Sequence, residues 1–233
     1  LGQIGNLFSN YYQLKKLEPE YATGIHFSAE WEPNQNNEIQ FQLFRNDINN
    51  LIDVQQVGNY ISGSQIYSYL NIKNAFTQGF EIEAKQKFTN GWSSSFGYQF
   101  LLTGDKDQIA SIKSGTVYTK NENGTSRLLR LSDYVGLPNT SKHRFQAKLN
   151  YETTNGFYAN IRAIYRSKWA VANTNGNEVY DNGDQFGAGY ITLNYSMGKP
   201  LKKGWAIQAG VDNLNNYMDG LNLPNLAGRT FYM

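Results

Sequence analysis

FEIEAKQKFTNGWSSSFGYQFLL, residues 80–102, contains two runs of alternating apolar and polar side chains on either side of Asn90-Gly91. Phe80, Ile82 and Ala84 share one parity in the first run, and charged residues hold the other. Because a strand turns successive side chains to opposite faces, each run predicts a strand with one apolar and one polar face. Asn-Gly supplies the two positive-φ residues of a type I′ turn, whose twist matches the strands it joins. The stretch therefore predicts a β-hairpin.

The composition suits a sheet whose polar face is as extensive as its apolar face. The 233 residues are 15% aromatic and include 17 Tyr and 13 Phe, yet the mean hydropathy is only −0.57. There is no Cys, which excludes disulfides and thiolate metal sites. The net charge of +2 gives no reason to expect a nucleic-acid partner. No run of about 18 apolar residues exists, so a membrane-spanning helix is not predicted. No catalytic constellation stands out, and we expect no enzyme.

The chain repeats the same pattern, which predicts about nine strands with alternating short and long connections. Short connections fall near 33–37, 89–91, 153–156 and 198–204, and long polar loops near 53–72, 104–142, 167–188 and 213–228. Outer-membrane barrels have short periplasmic turns and long extracellular loops. The pattern therefore predicts an all-β, antiparallel transmembrane β-barrel with apolar side chains toward lipid and polar side chains toward a wet lumen.

Aromatic residues recur beside the four short turns. In a membrane barrel they form a girdle, with rings in the acyl boundary and polar edges in water. The alternative interpretation is that these aromatic residues simply flank hairpin turns, as aromatic residues also do in soluble sheets. The predicted girdle comprises Trp31, Phe88, Trp92, Tyr151, Phe157 and Trp205.

Five short motifs, taken in order, resemble those of TonB-dependent outer-membrane receptors. They are Leu17-Glu18-Pro19-Glu20; Tyr69-Leu70-Asn71 with Asn74-Ala75 and Gly79-Phe80-Glu81; Pro138 with His143; Gly210-Val211-Asp212-Asn213-Leu214; and Asn222-Leu223-Pro224 with Gly228-Arg229-Thr230-Phe231. The Pro138-to-His143 spacing is longer than in the family pattern, and Asn225-Leu226-Ala227 interrupts the closing motif.

This resemblance implies a barrel of about 22 strands with a plug domain inside it. The nine strands would be the last of them, so residues 1–233 are expected to be a partial barrel domain. The plug, the segment that contacts TonB and the remaining strands would lie outside this sequence, and those strands would close the sheet. The beginning of the chain lacks signal-peptide character, so a signal peptide is expected upstream. The implied location is the bacterial outer membrane, in contact with its lipid.

The resemblance is to receptors of the siderophore, haem or cobalamin type, and it further implies TonB-dependent uptake of a large scarce solute, an iron siderophore or haem. The residues themselves point to no cofactor and no resident metal. A glycan or peptide importer of the same family is an alternative. A small complete pore or adhesin barrel is another, although it leaves the odd strand number unexplained. A secreted carbohydrate-binding β-domain is a third, but it would expose the apolar face to water.

Two sets of residues are candidates for contacts inside and above the barrel. Lumen-facing charges would hold the plug by ion pairs, or would be ordinary solvated wall charges: Glu81, Glu83, Lys85, Lys87, Arg144, Lys148, Arg162 and Arg166. Loop residues that combine rings with cations could bind an anionic, aromatic iron chelate by cation–π and charge contacts: Tyr67, Tyr69, Tyr118, Arg127, Arg130, Tyr134, Trp169 and Tyr180. His26 is expected to face the lumen, as a hydrogen-bonded residue or a haem ligand, and His143 to lie at a long-loop end.

Overall fold

The computed structural model describes residues 17–59, 65–71, 74–121 and 123–233. These described residues include one α-helix, α1 (Lys106–Lys113), and two short 3-10 turns at Leu131–Asp133 and Lys202–Gly204. The strands are β1 (Tyr21–Asn34), β2 (Asn37–Asn49), β3 (Ile52–Asn59), β4 (Gln65–Asn71), β5 (Ala75–Lys87), β6 (Trp92–Asp105), β7 (Tyr118–Lys120), β8 (Ser126–Leu128), β9 (His143–Glu152), β10 (Tyr158–Arg166), β11 (Trp169–Ala172), β12 (Gln185–Gly187), β13 (Tyr190–Pro200), β14 (Ala206–Asp212) and β15 (Thr230–Tyr232).

Nine of these strands form one antiparallel sheet in the order β1-β2-β5-β6-β9-β10-β13-β14-β15. Every strand pairs with the next one along this order, as in a continuous meander. The all-β prediction and the number of wall strands are confirmed. The sequence also predicts a loop from Leu1 to Pro19, and most of it lies outside the described residues.

The hairpin of β5 and β6 has the predicted turn. Asn90 and Gly91 have φ of 61° and 82°, which are the left-handed values that a type I′ turn requires at both central positions. A side chain at Gly91 would also meet the backbone carbonyl of Glu152 on the neighbouring strand. The glycine is therefore required both by its dihedral angle and by the close approach of β9.

One face of the sheet is apolar and open. Ile25, Phe27 and Trp31 of β1 expose 74%, 58% and 62% of their surface, although all three are large apolar residues. Aromatic rings pair across strands on this face, as with Phe80 and Phe100, whose ring centroids lie 5.6 Å apart. An apolar face of this extent is unfavourable in water. The open apolar face corresponds to the lipid-facing side of the strands in a membrane barrel, where apolar and polar residues alternate.

The long loops contain more regular structure than the sequence pattern predicted. The segment from Gly104 to Ser141, expected to be a polar loop, holds α1, the β7–β8 hairpin and a 3-10 turn. The loop around Gln55 to Asn71 is the β3–β4 hairpin, and Ser167 to Gly187 contains the β11–β12 hairpin. Strands of three or four residues are too short to show a period of two, which explains why alternation did not reveal β7, β8, β11 and β12.

The start of α1 is fixed by Asp105. Its carboxylate accepts hydrogen bonds from the backbone N–H groups of Asp107 and Gln108 at 2.8 and 3.1 Å. This N-cap satisfies donors that have no partner within a helix. Lys106 then forms an ion pair with Asp47 of β2 at 2.8 Å, which ties the helix to the sheet. No helix among the described residues is long and apolar enough to cross a membrane.

Candidate functional site

The polar face of the sheet carries the predicted lumen residues in register. One row across five strands consists of Glu81, Gln99, Arg144, Arg166 and Tyr190, each directly opposite the next. Side chains that lie directly opposite in antiparallel strands have Cβ atoms about 4.5–5.5 Å apart. The row therefore forms a continuous polar band near the long-loop end of the wall.

A cavity of about 510 Å³ lies against this band. Residues from β5, β6, β9, β10 and β13 line it. A single sheet encloses such a cavity only on its concave side, so the polar face is the concave one. Glu81 and Glu83 border the cavity on one side, and Arg144, Arg166 and Tyr190 on the other.

The charged residues of the polar face differ in their partners. Lys85 forms an ion pair with Glu38 of the adjacent strand at 2.9 Å and lies 3.8 Å from Glu83. Glu81 accepts a hydrogen bond from the Gln99 amide. These contacts stay within the wall and hold β2, β5 and β6 in register.

The cations of β9 and β10 differ from Lys85, because each lies directly opposite another cation and not opposite a carboxylate. Arg144 is paired in register with Arg166, and Lys148 with Arg162. Arg166 donates hydrogen bonds to the Ser141 hydroxyl at 2.6 Å and to a backbone carbonyl, so it is anchored. Arg144, Lys148 and Arg162 are exposed and make no ion pair with any described carboxylate. Lys87 is exposed near the short turn.

A series of packed aromatic rings begins at Arg166, which lines the cavity together with Tyr190. Its guanidinium lies 4.2 Å from the centre of the Trp169 ring, and Trp169 packs edge-on against Tyr190. Tyr190 stacks on Tyr217 with centroids 4.8 Å apart and planes 8° apart. Burial and the nearby Asp219 carboxylate raise the pKa of Tyr217 above its ordinary value of 10.0. This set, Arg166, Trp169, Tyr190 and Tyr217, is the aromatic ladder.

Two members of the aromatic ladder, Arg166 and Trp169, are among the residues predicted from the sequence, whereas Tyr190 and Tyr217 are not. Tyr190 has the lumen parity and begins a strand at a long loop, so the pattern did contain a signal for it. Tyr217 lies in the last long loop, where no alternation exists, and only the fold brings it to Tyr190.

Two long loops pack on each other above the sheet. Ile112 of α1, Leu129 and Val179 form a small buried apolar cluster, with Val117 and Tyr134 against it. The second loop is organised by Asp181, which is 1% exposed. The loops therefore form one folded unit, which we call the loop cap (residues 105–141 and 167–187).

The carboxylate of Asp181 is satisfied by neutral donors. It accepts hydrogen bonds from the side-chain amides of Asn175 and Asn177 at 3.0 and 2.8 Å and from the Gly183 N–H at 2.6 Å. Asp184 caps the same turn by accepting the backbone N–H of Asp181 at 2.8 Å. These bonds account for the Asn- and Gly-rich composition of the segment.

Four of the predicted ligand residues have structural partners. Trp169 is only 3% exposed within the aromatic ladder. Tyr134 accepts the Asp105 N–H at 2.9 Å, and burial raises its pKa to about 12. Arg127 forms an ion pair with Asp133 at 2.7 Å. Tyr180 is half-buried, and its backbone carbonyl accepts the N–H of Val135.

Three others project from the loops. Tyr69 and Tyr118 are 63% and 54% exposed, and Arg130 is exposed beside the 3-10 turn. The side chain of Tyr67 lies outside the described residues. Among the predicted ligand residues, only Trp169 belongs to the aromatic ladder above the cavity.

The predicted girdle residues lie at the short-turn end and on the apolar face. Trp92 packs against Tyr151 of the neighbouring strand with centroids 4.7 Å apart, and Trp205 is 72% exposed. Trp31 and Phe88 are exposed, while Phe157 is half-buried. Their contact with lipid stays a prediction.

The two histidines have hydrogen-bond partners. His26 Nδ1 lies 3.3 Å from the Gln42 amide, and His143 Nδ1 lies 2.8 Å from the Tyr98 hydroxyl. His143 also packs against Phe100. Within the described part of the chain, no group of three or more His, Cys, Asp or Glu side chains could hold a metal ion.

An antiparallel meander with an open apolar face, a polar concave face and folded loops at one end defines the wall of an outer-membrane β-barrel. Comparison with known proteins identifies the family of outer-membrane barrels. Residues 1–214 match the family model described as TonB dependent receptor-like, beta-barrel, and the chain belongs to that family. The family is one of non-enzymatic transporters of the Gram-negative outer membrane.

Solved structures share the fold. The ferric-catecholate import receptor Fiu of E. coli is 19% identical, with a TM-score of 0.53 over 86% of this chain and 24% of its own. The ferric enterobactin receptor PfeA of Pseudomonas aeruginosa, in a mutant form, is 18% identical, with a TM-score of 0.57 over 85% and 26%. The copper transporter OprC is 16% identical, with a TM-score of 0.60 over 86% and 26%. None of the curated proteins compared matches significantly in sequence.

The chain spans about a quarter of the length of these receptors. The similarity therefore covers one portion of the barrel wall.

Proposed function

We propose that the complete protein is a TonB-dependent receptor that imports a large iron chelate, a siderophore or haem, and that this chain forms the last part of its wall. The observation that carries the proposal is the concave cavity at the long-loop end, which is lined by Arg144 and by two members of the aromatic ladder, Arg166 and Tyr190. Cations beside stacked rings bind an anionic, aromatic ligand by charge and cation–π contacts.

The chemistry of transport is binding followed by release, with no bond made or broken by this chain. The energy would come from the inner membrane through TonB, which would contact a segment outside this sequence. A plug domain would close the barrel until that contact loosens it. The remaining strands would pair with the edges of β1 and β15, because unpaired backbone groups are costly in lipid.

Uptake of radiolabelled iron tests the proposal in a strain that carries the complete receptor gene or its deletion. Catecholate and hydroxamate siderophores and haem are the probes, with copper and cobalamin as comparison solutes because a copper transporter shares the fold. We expect uptake of one iron chelate that is lost on deletion and on removal of TonB. TonB-dependent uptake of copper, cobalamin or a glycan, with none of any iron chelate, would overturn the proposal.

Substitution of a residue that lines the cavity tests whether the chelate binds there. Tyr190→Ala removes the half-buried ring of the aromatic ladder that lines the cavity, and we expect the affinity for the chelate to fall roughly 5- to 30-fold, the equivalent of about 1–2 kcal/mol. Lys199→Ala on the apolar face is the control, since its parity places it outside the cavity. Unchanged affinity in Tyr190→Ala would remove this cavity as the binding site.

A further inference from the structure

Glu18 and Asn71, from two of the short motifs described above, meet in the structure although they lie 53 positions apart in the sequence. The Asn71 Oδ1 atom accepts the backbone N–H of Glu18 at 2.7 Å, and Asn71 Nδ2 donates to the Glu18 carbonyl at 2.9 Å. The same Nδ2 group also donates to the backbone carbonyl of Asn50 at 2.8 Å. The Asn71 amide therefore uses both of its N–H donors and its oxygen. We call Glu18, Asn50 and Asn71 the hairpin joint.

Pro19 prepares Glu18 for this contact. The residue before a proline is restricted to extended conformations, and an extended residue directs its N–H and C=O to the same neighbour. Glu18 can therefore offer both groups to one partner. The side-chain amide of Asn71 carries the same donors and acceptor as a peptide group, so it pairs with Glu18 as an adjacent strand would.

The hairpin joint lies where the wall ends and the β3–β4 hairpin begins. The pairing of β2 with β5 ends at Ile48 and Ala75, whereas that of β3 with β4 begins at Ile52 and Asn71. β3 and β4 form a separate two-stranded sheet. Between the two sheets the chain turns at Asn50, which has a left-handed φ of 55°. Within the described residues, the joint thus bridges an interruption in the hydrogen-bond ladder of the wall.

The direction of the hairpin depends on a few hydrogen bonds at its root. β3 has eight residues and extends over about 26 Å. Among the described elements, β3 and β4 make extensive contact only with each other. Two further bonds support the joint: Asn50 Nδ2 donates to the Glu18 carboxylate at 3.3 Å, and the Ile52 N–H donates to the Glu20 carboxylate at 3.0 Å. Loss of the joint should therefore free the hairpin to change direction without unfolding the wall.

We propose that the hairpin joint fixes the direction of the β3–β4 hairpin at the long-loop end, and that Asn71 is thereby a positioning residue for contact between Tyr69 and the imported solute. The contact with solute rests on the proposed function, whereas the joint does not. Tyr69 lies two residues before Asn71, on the same face of β4, and is 63% exposed. A change of direction at the joint moves this ring, while the aromatic ladder belongs to other segments and stays in place.

The distance between two spin labels tests the joint in the complete receptor without ligand. This chain has no Cys, so labels attach at Ser68→Cys on the hairpin and Thr154→Cys at a short turn, with any Cys outside this chain replaced. Asn71→Asp keeps the side-chain size but turns a carboxylate oxygen toward two backbone carbonyls, and we expect a wider distribution of distances. Asn37→Asp is the control, because it removes an amide bond to Asn34 at the opposite end of β2 and should leave the distribution unchanged.

Pro19→Ala tests the same joint without a new charge. It frees Glu18 from its extended conformation and removes no hydrogen bond, because proline has no N–H. We expect the distance distribution to widen, but less than in Asn71→Asp. Heat-modifiable migration in gels identifies any variant that fails to assemble. An unchanged distribution in both assembled variants would overturn the inference, whatever the receptor imports.

The affinity for the imported solute tests the positioning role. Tyr69→Ala should lower the affinity roughly 5-fold, through loss of one ring contact at an exposed site. Asn71→Asp should lower it by no more than this factor, and the double variant should bind no more weakly than Tyr69→Ala, because the joint acts through that ring. Tyr118→Ala, on a different loop, is the control: Asn71→Asp should keep its full effect in that background.

The outcomes separate this inference from the proposed function. Multiplicative losses in the Tyr69→Ala and Asn71→Asp double variant, or an unchanged affinity in Asn71→Asp, would overturn the positioning role even if an iron chelate is imported. If the receptor imports copper, cobalamin or a glycan and the two substitutions remain non-additive for that solute, the inference holds while the proposed substrate fails.

Discussion

Glu152 donates its backbone N–H to the carbonyl of Gly91 at 2.8 Å, which joins the end of β9 to the turn between β5 and β6. This contact requires Gly91 to lack a side chain, since a Cβ would meet the Glu152 carbonyl. The short turn is therefore a point at which three strands are held together.

Gly91→Ala should destabilise the barrel through two effects. Alanine at φ 82° costs about 1–2 kcal/mol, and the collision with Glu152 adds to it. Gly124→Ala is the matched control, because Gly124 has a φ of 80° but no atom within 4 Å of the added Cβ. We expect a lower thermal midpoint for Gly91→Ala than for Gly124→Ala, measured by circular dichroism in detergent. Equal midpoints would show that the β9 contact adds no constraint.

Trp169→Ala should unfold the β11–β12 hairpin while leaving the nine-stranded sheet intact. Removing a buried aromatic side chain costs about 3–5 kcal/mol, and the change also removes the ring beneath the Arg166 guanidinium. Limited proteolysis should cut residues 167–187 faster, with unchanged β-sheet circular dichroism. Tyr118→Ala, at a 54% exposed position, is the control and should leave the cleavage rate near that of the parent. An unchanged rate in Trp169→Ala would contradict a packing role.

The wall could be predicted from the sequence because its strands are long enough to show alternation. β5 and β6 run over 13 and 14 residues, and the Asn-Gly dipeptide between them fixes the turn type. Register and facing then follow from the period of two, which is why the lumen residues were placed on one face and the apolar residues on the other.

The loop cap could not be predicted in the same way, because its contacts join segments distant in the sequence. Ile112, Leu129 and Val179 meet in one cluster although they lie in two different loops. The same packing places Trp169 and Tyr134 in structural roles that their residue types did not reveal. One local signal was available and missed: Asp105, followed three residues later by Gln108, is a helix-capping pattern.

Acid should loosen the loop cap through Asp133. The Arg127 guanidinium, which donates to the Asp133 carboxylate, lowers the pKa of that carboxyl below its ordinary 3.8. A carboxyl whose pKa is lower in the folded state stabilises the fold above its unfolded pKa, and this contribution is lost as the pH falls through the folded value. Protease resistance of the loop cap should therefore fall below about pH 4.

Asp133→Asn separates the loss of the Arg127–Asp133 ion pair from any other loosening of the protein in acid. The variant should be more protease-sensitive than the parent at neutral pH, and the difference should narrow as the pH falls and the parent carboxyl becomes protonated. Asp107→Asn is the control, because Asp107 is exposed and makes no ion pair among the described residues. A difference that stays constant from neutral pH to acid would contradict the role of the Arg127–Asp133 pair.

A substitution on the apolar face can show whether lipid or water surrounds that face. Along β6, the ten steps from Trp92 to Leu102 cover about 33 Å, or roughly 25 Å along the membrane normal at a tilt near 40°, which matches the lipid-facing band of an outer-membrane barrel. Leu149 and Ile161, directly opposite each other on β9 and β10, lie well inside such a band. Ile161→Arg should then cost about 2–4 kcal/mol and reduce assembly into the membrane.

Asn160→Arg is the control, since the adjacent residue faces the concave side, where a cation remains hydrated. The heat-modifiable fraction in outer-membrane preparations measures assembly. The two variants differ by one position in the chain, so a loss confined to Ile161→Arg requires lipid on the apolar face. Equal assembly of both variants would mean that this face is in water.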